Sequence, residues 1–269
     1  MSFSIIIPSR NVDNLTVCIS AIRATGETCR IIVVWDGNFA SHIQAWRVLS
    51  DDGNIQSESG AQPFCFSKNC NMGVNAAACS WQGGFPTQVP LPIGDDVFLW
   101  NDDALLLPGD RPLTNMVRAV EYSRFQTGRA WGVVSAAVAG HAGPAYPTSP
   151  QRLAEIYRGV DRTLWPIRPP NGRMVPFTAV YIPRAVLNDV GPLDERYTGV
   201  AEGHEVYGGE DDDWCYRARA KGYSIGVWDG AVVDHATLPS TFRPDGKGRS
   251  VDGARARFRE IHGFQMGSR

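Results

Sequence analysis

The strongest constraint on the fold is the alternation, in the first part of the chain, of short β-branched runs with helix-like segments. The runs are "SFSIIIP" (2–8), "RIIVVW" (30–35) and "DDVFLW" (95–100). Apolar runs of this length are typical of strands that are buried on both faces of a sheet. Because strands that alternate with helices pair in parallel through right-handed crossovers, the sequence predicts an α/β fold with a single doubly wound, mostly parallel sheet.

Shorter segments complete the predicted element order. In the first half they are a helix at "NLTVCISAIRAT" (14–25), a short strand at "QPFCFS" (62–67) and a helix at "NMGVNAAACSW" (71–81). The second half is less regular, and the stretch from His141 to Pro176 is rich in Pro and Gly, which predicts a long loop region over one face. Its other predicted elements are strands at 130–140 and 175–183, a helix ending at Gly191, a helix closed by Gly222, and the strand-like pieces "YSIGVW" and "AVVDHA".

Cysteine use and hydropathy favour the cytoplasm. The six cysteines form no CxxC pair, and a chain of 269 residues needs no disulfide to fold, so reduced, buried thiols are expected. The N-terminal "MSFSIIIPSR" has no basic segment ahead of its short apolar stretch, which does not fit a signal peptide. No apolar run approaches the roughly 20 residues of a membrane helix, so no membrane span is expected.

The net charge of −2 excludes a polycation that coats nucleic acid. The charge is uneven, however, because the segment from Ser240 to the end holds seven Lys or Arg residues against three Asp or Glu. Two interpretations are open. This basic tail either contacts an anion such as a phosphate or is a solvated terminal segment, and the second is favoured.

The residues that follow each predicted strand are the first candidates for a site, because ligands of open α/β sheets bind beyond the carboxyl ends of the strands. They are Pro8-Ser9-Arg10, Asp36-Gly37 and Asn101-Asp102-Asp103. The last group is suited to Mg²⁺ or Mn²⁺, which prefer carboxylate oxygens and complete their coordination with substrate phosphates. An Asx-turn, in which Asn and Asp bond to their own backbone, explains it equally well, and Asp36-Gly37 also fits a simple turn.

A second candidate site is the run of four acids, Glu210 to Asp213, that follows Gly208-Gly209. The dipole of a helix stabilises acids in its first turn by ~0.3–1 kcal/mol each, which explains one or two of them. Like charges this close raise one another's pKa, and a general base near neutral pH requires a raised pKa. The glycines permit close approach to a ligand and movement of the loop. A catalytic role is therefore favoured here, whereas the lone His235 is by itself more typical of a structural histidine.

Six segments, taken in chain order, resemble motifs of the family 2 inverting glycosyltransferases, which have the A-type glycosyltransferase fold. They are "SIIIPSRN", "IIVVWDG", "NMGVNAA" (71–77), "FLWNDDALL", "FTAVYIPRAVLNDVGPLDERY" and "GGEDDDWCYRARAKGYSI". The fourth is similar to the family's metal-binding Asp-x-Asp segment and the sixth to its Glu-Asp-x-Asp-Leu-x-x-Arg helix. Each motif alone is a weak signal, but six in the family's order between residues 3 and 236 are a strong one.

The resemblance implies a metal-dependent, non-processive enzyme that moves a sugar from a nucleotide-sugar donor to an acceptor hydroxyl with inversion. The donor would be UDP-, GDP- or dTDP-linked, the acceptor a carbohydrate or another hydroxyl compound, and the cofactor Mn²⁺ or Mg²⁺. It further implies a catalytic domain over 1–240, with a nucleotide-binding half (1–104) and an acceptor-binding half (105–240), followed by the basic tail (241–269).

Carried over residue by residue, the resemblance also implies roles for individual side chains. The nucleotide-sugar site would comprise Pro8, Ser9, Arg10, Asp36, Lys68, Asn71 and Asp102. Asp103 and His235 would be the metal ligands. Asp211 would be the catalytic base with Glu210 beside it, and the acceptor side would include Gly209, Asp213 and Trp214.

The chain departs from the family's pattern at two motifs. Trp35 replaces the first acid of the Asp-Asp-Gly motif, which leaves the nucleotide open, and Asn101 replaces the first acid of Asp-x-Asp. Two other classes stay open: a non-catalytic nucleotide-sugar binder, and a sugar-nucleotide nucleotidyltransferase, although "IIIPSRNVDNL" lacks the glycine-rich phosphate loop expected there. A polyanionic acceptor such as modified DNA is possible but not favoured.

Overall fold

The computed structural model describes residues 2–36, 43, 49, 51–61, 64–82, 85–90, 94–140, 165–170, 172–240 and 250–267, and the predicted loop between His141 and Pro176 falls mostly outside them. The helices are α1 (Val12–Ala24), α2 (Phe66–Ala77), α3 (Pro112–Thr127), α4 (Arg184–Val190), α5 (Glu210–Ala220) and α6 (Asp252–His262). The strands are β1 (Phe3–Ser9), β2 (Arg30–Trp35), β3 (Ile55–Ser59), β4 (Cys79–Gln82), β5 (Phe85–Pro90), β6 (Asp96–Trp100), β7 (Leu105–Leu106), β8 (Trp131–Gly140), β9 (Ala179–Ile182), β10 (Val200–Ala201), β11 (His204–Glu205) and β12 (Ser224–His235).

Eight of these strands form one sheet in the order β3-β2-β1-β6-β9-β8-β12-β7. β1 pairs in parallel with β2 and β6, β2 with β3, and β8 with β12. β9 runs antiparallel between β6 and β8, and β7 runs antiparallel beside β12. The predicted α/β fold with a mostly parallel sheet is confirmed, and its antiparallel strands come from the less regular second half of the chain.

The Ile- and Val-rich runs are buried on both faces because successive side chains of a strand point to opposite sides of the sheet. In β1, Ile5 and Ile7 belong to one core cluster, whereas Ile6 between them belongs to the cluster on the other face. Helices α1 and α3 cover the first face with residues such as Leu15 and Met116. Helices α2, α4 and α5 cover the second face.

The predicted strand at 62–67 is wrong. Helix α2 begins at Phe66, and the described residues just before it form no strand. Phe66, Cys70 and Ala77 contact the same core cluster at helical spacing, so this segment follows the helical period rather than the strand period. The strand of this region is β3, "IQSES", whose polar composition gives little strand signal because it pairs only with β2 at the edge of the sheet.

The two predicted strand-like pieces after residue 222 form one strand, β12. Its pairing with β8 shifts register between Trp228 and Val232, so a bulge interrupts the apolar pattern without ending the strand. Gly230 lies in the bulge, and a Cβ at this position would meet the ring of Trp228 at 2.2 Å. The indole therefore occupies the space beside the glycine, which explains why the sequence pattern breaks there.

Part of the basic tail is packed rather than solvated. Residues Asp252–His262 form α6, in which Ala254, Ala256 and Phe258 are buried. Ala256 and Phe258 join a small core cluster with Tyr197. The expectation of a solvated terminal segment is therefore wrong for α6, because its apolar side has a partner that the local composition does not reveal.

Two further observations concern compartment and membranes. The described cysteines Cys18, Cys29, Cys65, Cys70 and Cys215 are free thiols, and Cys18, Cys65, Cys70 and Cys215 are buried. No helix in the described ranges is long and apolar enough to cross a membrane.

Gly73 permits the close packing of α2 on the sheet. A Cβ at this position would lie 2.3 Å from Ile6 Cγ2 and 3.2 Å from Val34 Cγ2. Both neighbours are fully buried side chains of central strands and have no room to move aside.

We therefore expect Gly73→Ala to destabilise the protein by about 1–3 kcal/mol through overpacking. Helix propensity alone predicts the opposite, a gain of about 1 kcal/mol for Ala over Gly inside a helix. Urea denaturation measures the difference. Gly53→Ala is the matched control, because nothing lies within 4 Å of the added Cβ, and a stability of Gly73→Ala equal to or above that of the control would contradict the close packing.

Candidate active site

The carboxyl ends of four strands meet at one edge of the sheet. β1, β2 and β6 are parallel neighbours. β6 and β8 both run antiparallel to β9, and β12 runs parallel to β8, so β12 ends at the same edge. The side chains at these ends are Ser9 and Arg10, Asp36, Asn101 to Asp103, and His235. Sequence-predicted candidates from four separate segments therefore lie along one edge.

A hydrogen bond joins the ends of β1 and β6. Ser9 Oγ donates to Asp102 Oδ2 over 2.5 Å, and both side chains are buried. The backbone carbonyl of Ser9 accepts the N–H of Asp36 at 3.0 Å, which attaches the end of β2 to the same point. The three strand ends thus form a continuous hydrogen-bonded unit.

An ion pair lies beside this unit. Arg10 donates from Nε to Asp36 Oδ1 at 3.3 Å and from its terminal nitrogen to Asp36 Oδ2 at 2.8 Å. The side chain of Asp36 is 0% exposed and that of Arg10 is 41% exposed. Burial raises the pKa of Asp36, and the bonds from Arg10 oppose that shift. The guanidinium also lies 4.6 Å from the centre of the Phe64 ring, so the outer surface here is cationic and aromatic. Pro8 is buried within β1.

Asp103 and His235 form the second pair at this edge. His235 Nε2 lies 3.0 Å from Asp103 Oδ1, and the two side chains are only 14% and 6% exposed. Because a carboxylate only accepts, Nε2 carries the proton in this arrangement. His235 Nδ1 and Asn101 Oδ1 are buried and have no hydrogen-bond partner in the described part of the chain. A backbone bond from Ala104 N–H to the Asn101 carbonyl closes the turn, while the carboxylate of Asp103 is directed to the histidine.

The Asp103–His235 pair fits a divalent cation. A carboxylate oxygen and an imidazole nitrogen already lie together, and both are ligand types that Mn²⁺ accepts. In the described ranges no three His, Cys, Asp or Glu side chains group in a way that could hold a metal ion. From the part of the chain that the structure describes, Asp103 and His235 would supply two ligands, and substrate oxygens would complete the coordination.

The acids after Gly209 begin helix α5, and Gly209 itself has a φ of 93°. Burial, followed by the neighbouring charge of Asp211, raises the pKa of Glu210 to about 8. Burial raises the pKa of Asp211 to about 6 against the opposing effect of backbone N–H groups, and that of Asp212 to about 7. Three carboxyl groups with pKa values around neutrality are therefore present in one helical turn.

Asp213 differs from the three acids before it. Its side chain is 0% exposed, and its carboxylate accepts from Arg217 Nε at 2.8 Å and His262 Nε2 at 2.7 Å. Trp214 is also fully buried, with its Nε1 donating to the Gly191 carbonyl at 3.0 Å. Both residues were predicted for the acceptor side, and in this structure their side chains are occupied by contacts within the protein.

The start of α5 connects to the sheet edge through the residues before β9. The backbone N–H of Phe177 lowers the pKa of the Asp211 carboxyl, so the two groups lie near each other. The next residue, Thr178, accepts the backbone N–H of Asn101 through its carbonyl at 2.9 Å. Asp211 and the Asn101–Asp103 turn are thus close to two consecutive residues, which brings the two predicted acidic groups to one region.

Asn71 makes a different set of contacts. Its amide oxygen accepts the N–H of Leu193 at 2.9 Å, and its nitrogen donates to the Leu193 carbonyl at 2.9 Å and to Glu195 Oε1 at 3.0 Å. The amide therefore holds the 193–195 turn against α2. Lys68 is exposed on the first turn of α2, and the predicted nucleotide role of both residues stays a prediction.

Three contacts were missed by sequence reasoning: the Ser9–Asp102 bond, the Arg10–Asp36 ion pair and the His262–Asp213 contact. The first two join residues that the motifs already named, but the motifs carry no information on the bonds between those residues. His262 belonged to no motif. Its only sequence signal was the apolar spacing of Ala254 and Phe258, which predicts a packed amphipathic helix.

No protein-family model matches the chain, and no curated protein matches it by sequence. Solved structures do resemble it. S. aureus TarS 1–349 aligns with a TM-score of 0.54 and 15% identity over 88% of this chain. The complex of TarS 1–349 with UDP aligns with a TM-score of 0.53 and 14% identity over 87% of this chain. GalNAc-T7 with UDP, GalNAc and Mn²⁺ aligns with a TM-score of 0.58 and 11% identity over 88%. The fold is therefore that of the A-type glycosyltransferases.

The chain spans only part of these proteins. It covers 60% of TarS 1–349 and 44% of GalNAc-T7. At these identities the comparison shows the fold.

Replacing Glu210 by Gln tests the electrostatics of the acid run. Because the pKa of Glu210 is raised to about 8, the folded state holds the proton more tightly than the unfolded state, where Glu titrates near ~4.3. The contribution of Glu210 to the free energy of unfolding therefore falls as the pH rises between about 4 and about 8. We expect Glu210→Gln to unfold about 3–6 °C above wild type near pH ~9, with the difference disappearing near pH ~4.

Thermal unfolding followed by circular dichroism across this pH range measures the effect. Glu260→Gln is the matched control, since Glu260 is 62% exposed on α6. A difference between Glu210→Gln and wild type that does not change with pH would contradict the raised pKa.

Proposed function

We propose that the chain is a glycosyltransferase that moves a sugar from a nucleotide-sugar donor to a hydroxyl group of an acceptor. The observation that carries the proposal is the convergence of the Arg10–Asp36 pair, the Asp103–His235 pair and the α5 acids around one edge of an A-type sheet. Ligands of open α/β sheets bind at this edge. The complexes of TarS with UDP and of GalNAc-T7 with UDP, GalNAc and Mn²⁺ support a nucleotide-sugar donor.

The donor would bind across the ends of β1, β2 and β6. Arg10 offers a partly exposed cation stacked on Phe64, a combination that suits a nucleotide's planar base or its phosphates. The hydrogen bond between Ser9 and Asp102 already holds the ends of β1 and β6 in place without a bound donor. The proposed donor site comprises Pro8, Ser9, Arg10, Asp36, Lys68, Asn71 and Asp102.

We assign Asp103 and His235 to a bound Mn²⁺ or Mg²⁺. When bound, such an ion neutralises the charge that develops on the departing diphosphate. The chain's own contribution is to hold the carboxylate and the imidazole 3.0 Å apart in a largely buried site. To bind the ion through Nε2, the imidazole of His235 would have to give up its hydrogen bond to Asp103, because a nitrogen that ligates a metal carries no proton.

We assign the general base to Asp211, the residue that the resemblance to the family's Glu-Asp-x-Asp helix places in this role. Burial raises the pKa of Asp211 above its usual range, as a base that accepts a proton near neutral pH requires. The base would take the proton of the acceptor hydroxyl as its oxygen bonds to the anomeric carbon. The bond from that carbon to the phosphate oxygen breaks, its electron pair leaves with the diphosphate, and in-line attack inverts the configuration.

The finer features of the proposal are a metal-dependent, inverting and non-processive reaction with a carbohydrate or another hydroxyl compound as acceptor. The non-processive assignment rests on the sequence, which contains no Gln-x-x-Arg-Trp motif of the kind that the processive polysaccharide synthases of the resembled family carry. The nucleotidyltransferase and the non-catalytic binder named above are not favoured by any contact at this edge, and the cytoplasmic location stays a prediction.

Asp211→Asn tests the base assignment. We expect the turnover of transfer to fall by about 10²–10⁴-fold, because a positioned base contributes a factor of this size. Donor binding, measured by calorimetry, should stay within about twofold since the amide keeps the shape of the acid. Asp189→Asn is the matched control, because Asp189 is 47% exposed and its partners among the described residues are Lys221 and Tyr223. Unchanged turnover of Asp211→Asn would leave the chain without its proposed base and favour a different class.

A thermal-shift panel of UDP-, GDP- and dTDP-sugars, each with and without Mn²⁺, tests donor and metal together. A ligand at 100 times its Kd stabilises the folded state by ~2.7 kcal/mol, so a donor should raise the melting temperature visibly. We expect one nucleotide to dominate and Mn²⁺ to enlarge its shift. Asp103→Asn should lose that enlargement, while Asp110→Asn, at an exposed position, should keep it. No shift with any donor would oppose the proposed function.

A further inference from the structure

The C-terminal helix α6 contacts the acid run of α5 through a buried hydrogen bond. His262 Nε2 lies 2.7 Å from Asp213 Oδ1, and the side chains are 12% and 0% exposed. The other partner of Asp213, Arg217, belongs to α5 itself and also donates to the carbonyls of Val190 and Pro192. His262 is therefore the partner that reaches Asp213 from a separate element, 49 residues away along the chain.

The imidazole of His262 is held rigidly. Its ring centre lies 4.8 Å from that of Tyr216, 4.4 Å from that of Phe258 and 5.9 Å from that of Phe264. Tyr216 belongs to α5, so the ring packs against the same helix to which it hydrogen-bonds. Because Asp213 only accepts, the Nε2 nitrogen carries the proton in this contact. The aromatic cage thus directs one N–H to one buried carboxylate oxygen.

Close backbone packing adds a second contact between α6 and the acid run. A Cβ on Gly209, the residue before Glu210, would meet Ala254 Cβ at 3.1 Å. At the neighbouring position of α6, a Cβ on Gly253 would meet the Glu205 carbonyl oxygen at 2.2 Å. Asp213 N–H donates to the Gly209 carbonyl at 2.9 Å, which is the first hydrogen bond of α5. Helix α6 therefore touches both ends of that bond, at Gly209 and at Asp213.

From these contacts we infer that His262 is a positioning residue for the proposed transfer reaction. It acts through Asp213, and together with the packing of Ala254 on Gly209 it fixes the first turn of α5, which carries Glu210 and Asp211. The inference rests on the proposed function for the role of Asp211. A base displaced by a fraction of an ångström loses much of its effect, so a residue that never touches substrate still controls turnover.

Two variants of similar size separate hydrogen bonding from packing. His262→Gln keeps a side-chain N–H donor near the position of Nε2, whereas His262→Met fills the aromatic cage without a donor. We expect His262→Met to lower the turnover of transfer by roughly tenfold and to leave the donor KM within about twofold, because positioning acts on the reaction step. His262→Gln should recover most of the loss. Arg255→Ala, at a 58% exposed position of α6, is the control that leaves all parameters unchanged.

Amide hydrogen exchange of the substrate-free protein provides a measurement that does not depend on the reaction. In His262→Met, the amides of residues 213–216, the first that make hydrogen bonds within α5, should exchange roughly tenfold faster than in His262→Gln, while those of β1 and β6 stay protected. If no sugar transfer occurs even in the wild type, the proposed function fails, and the exchange difference still decides whether His262 fixes this turn. Equal exchange in the two variants, or faster exchange with unchanged turnover in an active enzyme, would overturn the inference. Should His262→Met not fold, His262→Asn replaces it, since its amide is too short to reach Asp213.

Discussion

The antiparallel insertion of β9 between β6 and β8 is the constraint on which the candidate site depends. Because β9 runs against its neighbours, it begins at the edge where β6 ends, and Thr178 accepts the Asn101 N–H there. The backbone N–H of the preceding residue, Phe177, lowers the pKa of Asp211 and so lies near its carboxyl. A parallel β9 would begin at the opposite edge and would leave the acids of α5 without this connection. One strand direction therefore joins the Asn101–Asp103 turn to an acid run that lies more than a hundred residues further along the chain.

The four consecutive acids are accommodated in two different ways. Asp213 is buried with two partners, Arg217 and His262, so its charge is compensated inside the protein. Glu210, Asp211 and Asp212 have raised pKa values, and partial protonation reduces their mutual repulsion near neutral pH. The N-terminus of α5 offsets part of the remaining charge. Asp213 is thus the buried, paired acid of the run, and the three acids that precede it in the chain titrate near pH ~7.

The parts of the fold that could be predicted are those whose signal is local. β1 and β2 followed from their Ile and Val content and β6 from its apolar run, and the polar residues after them marked the edge of the sheet. The direction of β9 and the existence of β3 depend on neighbours supplied by distant segments, which a run of side chains does not encode. The same holds for His262, because a histidine in a basic tail has no feature that identifies a buried aspartate 49 residues away as its partner. Motif order could therefore indicate which residues form the site, but not the bonds between them.

Packing explains why Trp35 stands where the resembled Asp-Asp-Gly motif has its first acid, and this bears on nucleotide recognition. Trp35, the last residue of β2, is 2% exposed and joins the core cluster that contains Val33, so its position faces the interior. The adjacent acid, Asp36, is fully buried and paired with Arg10. Where the related motif provides two carboxylates, this chain has a core indole and one carboxylate neutralised by a guanidinium. Under the proposed function, the nucleotide's base would therefore meet the Arg10–Asp36 pair as a unit. Selection among nucleotides would then depend on the N–H groups of Arg10 as much as on the carboxylate of Asp36 behind it.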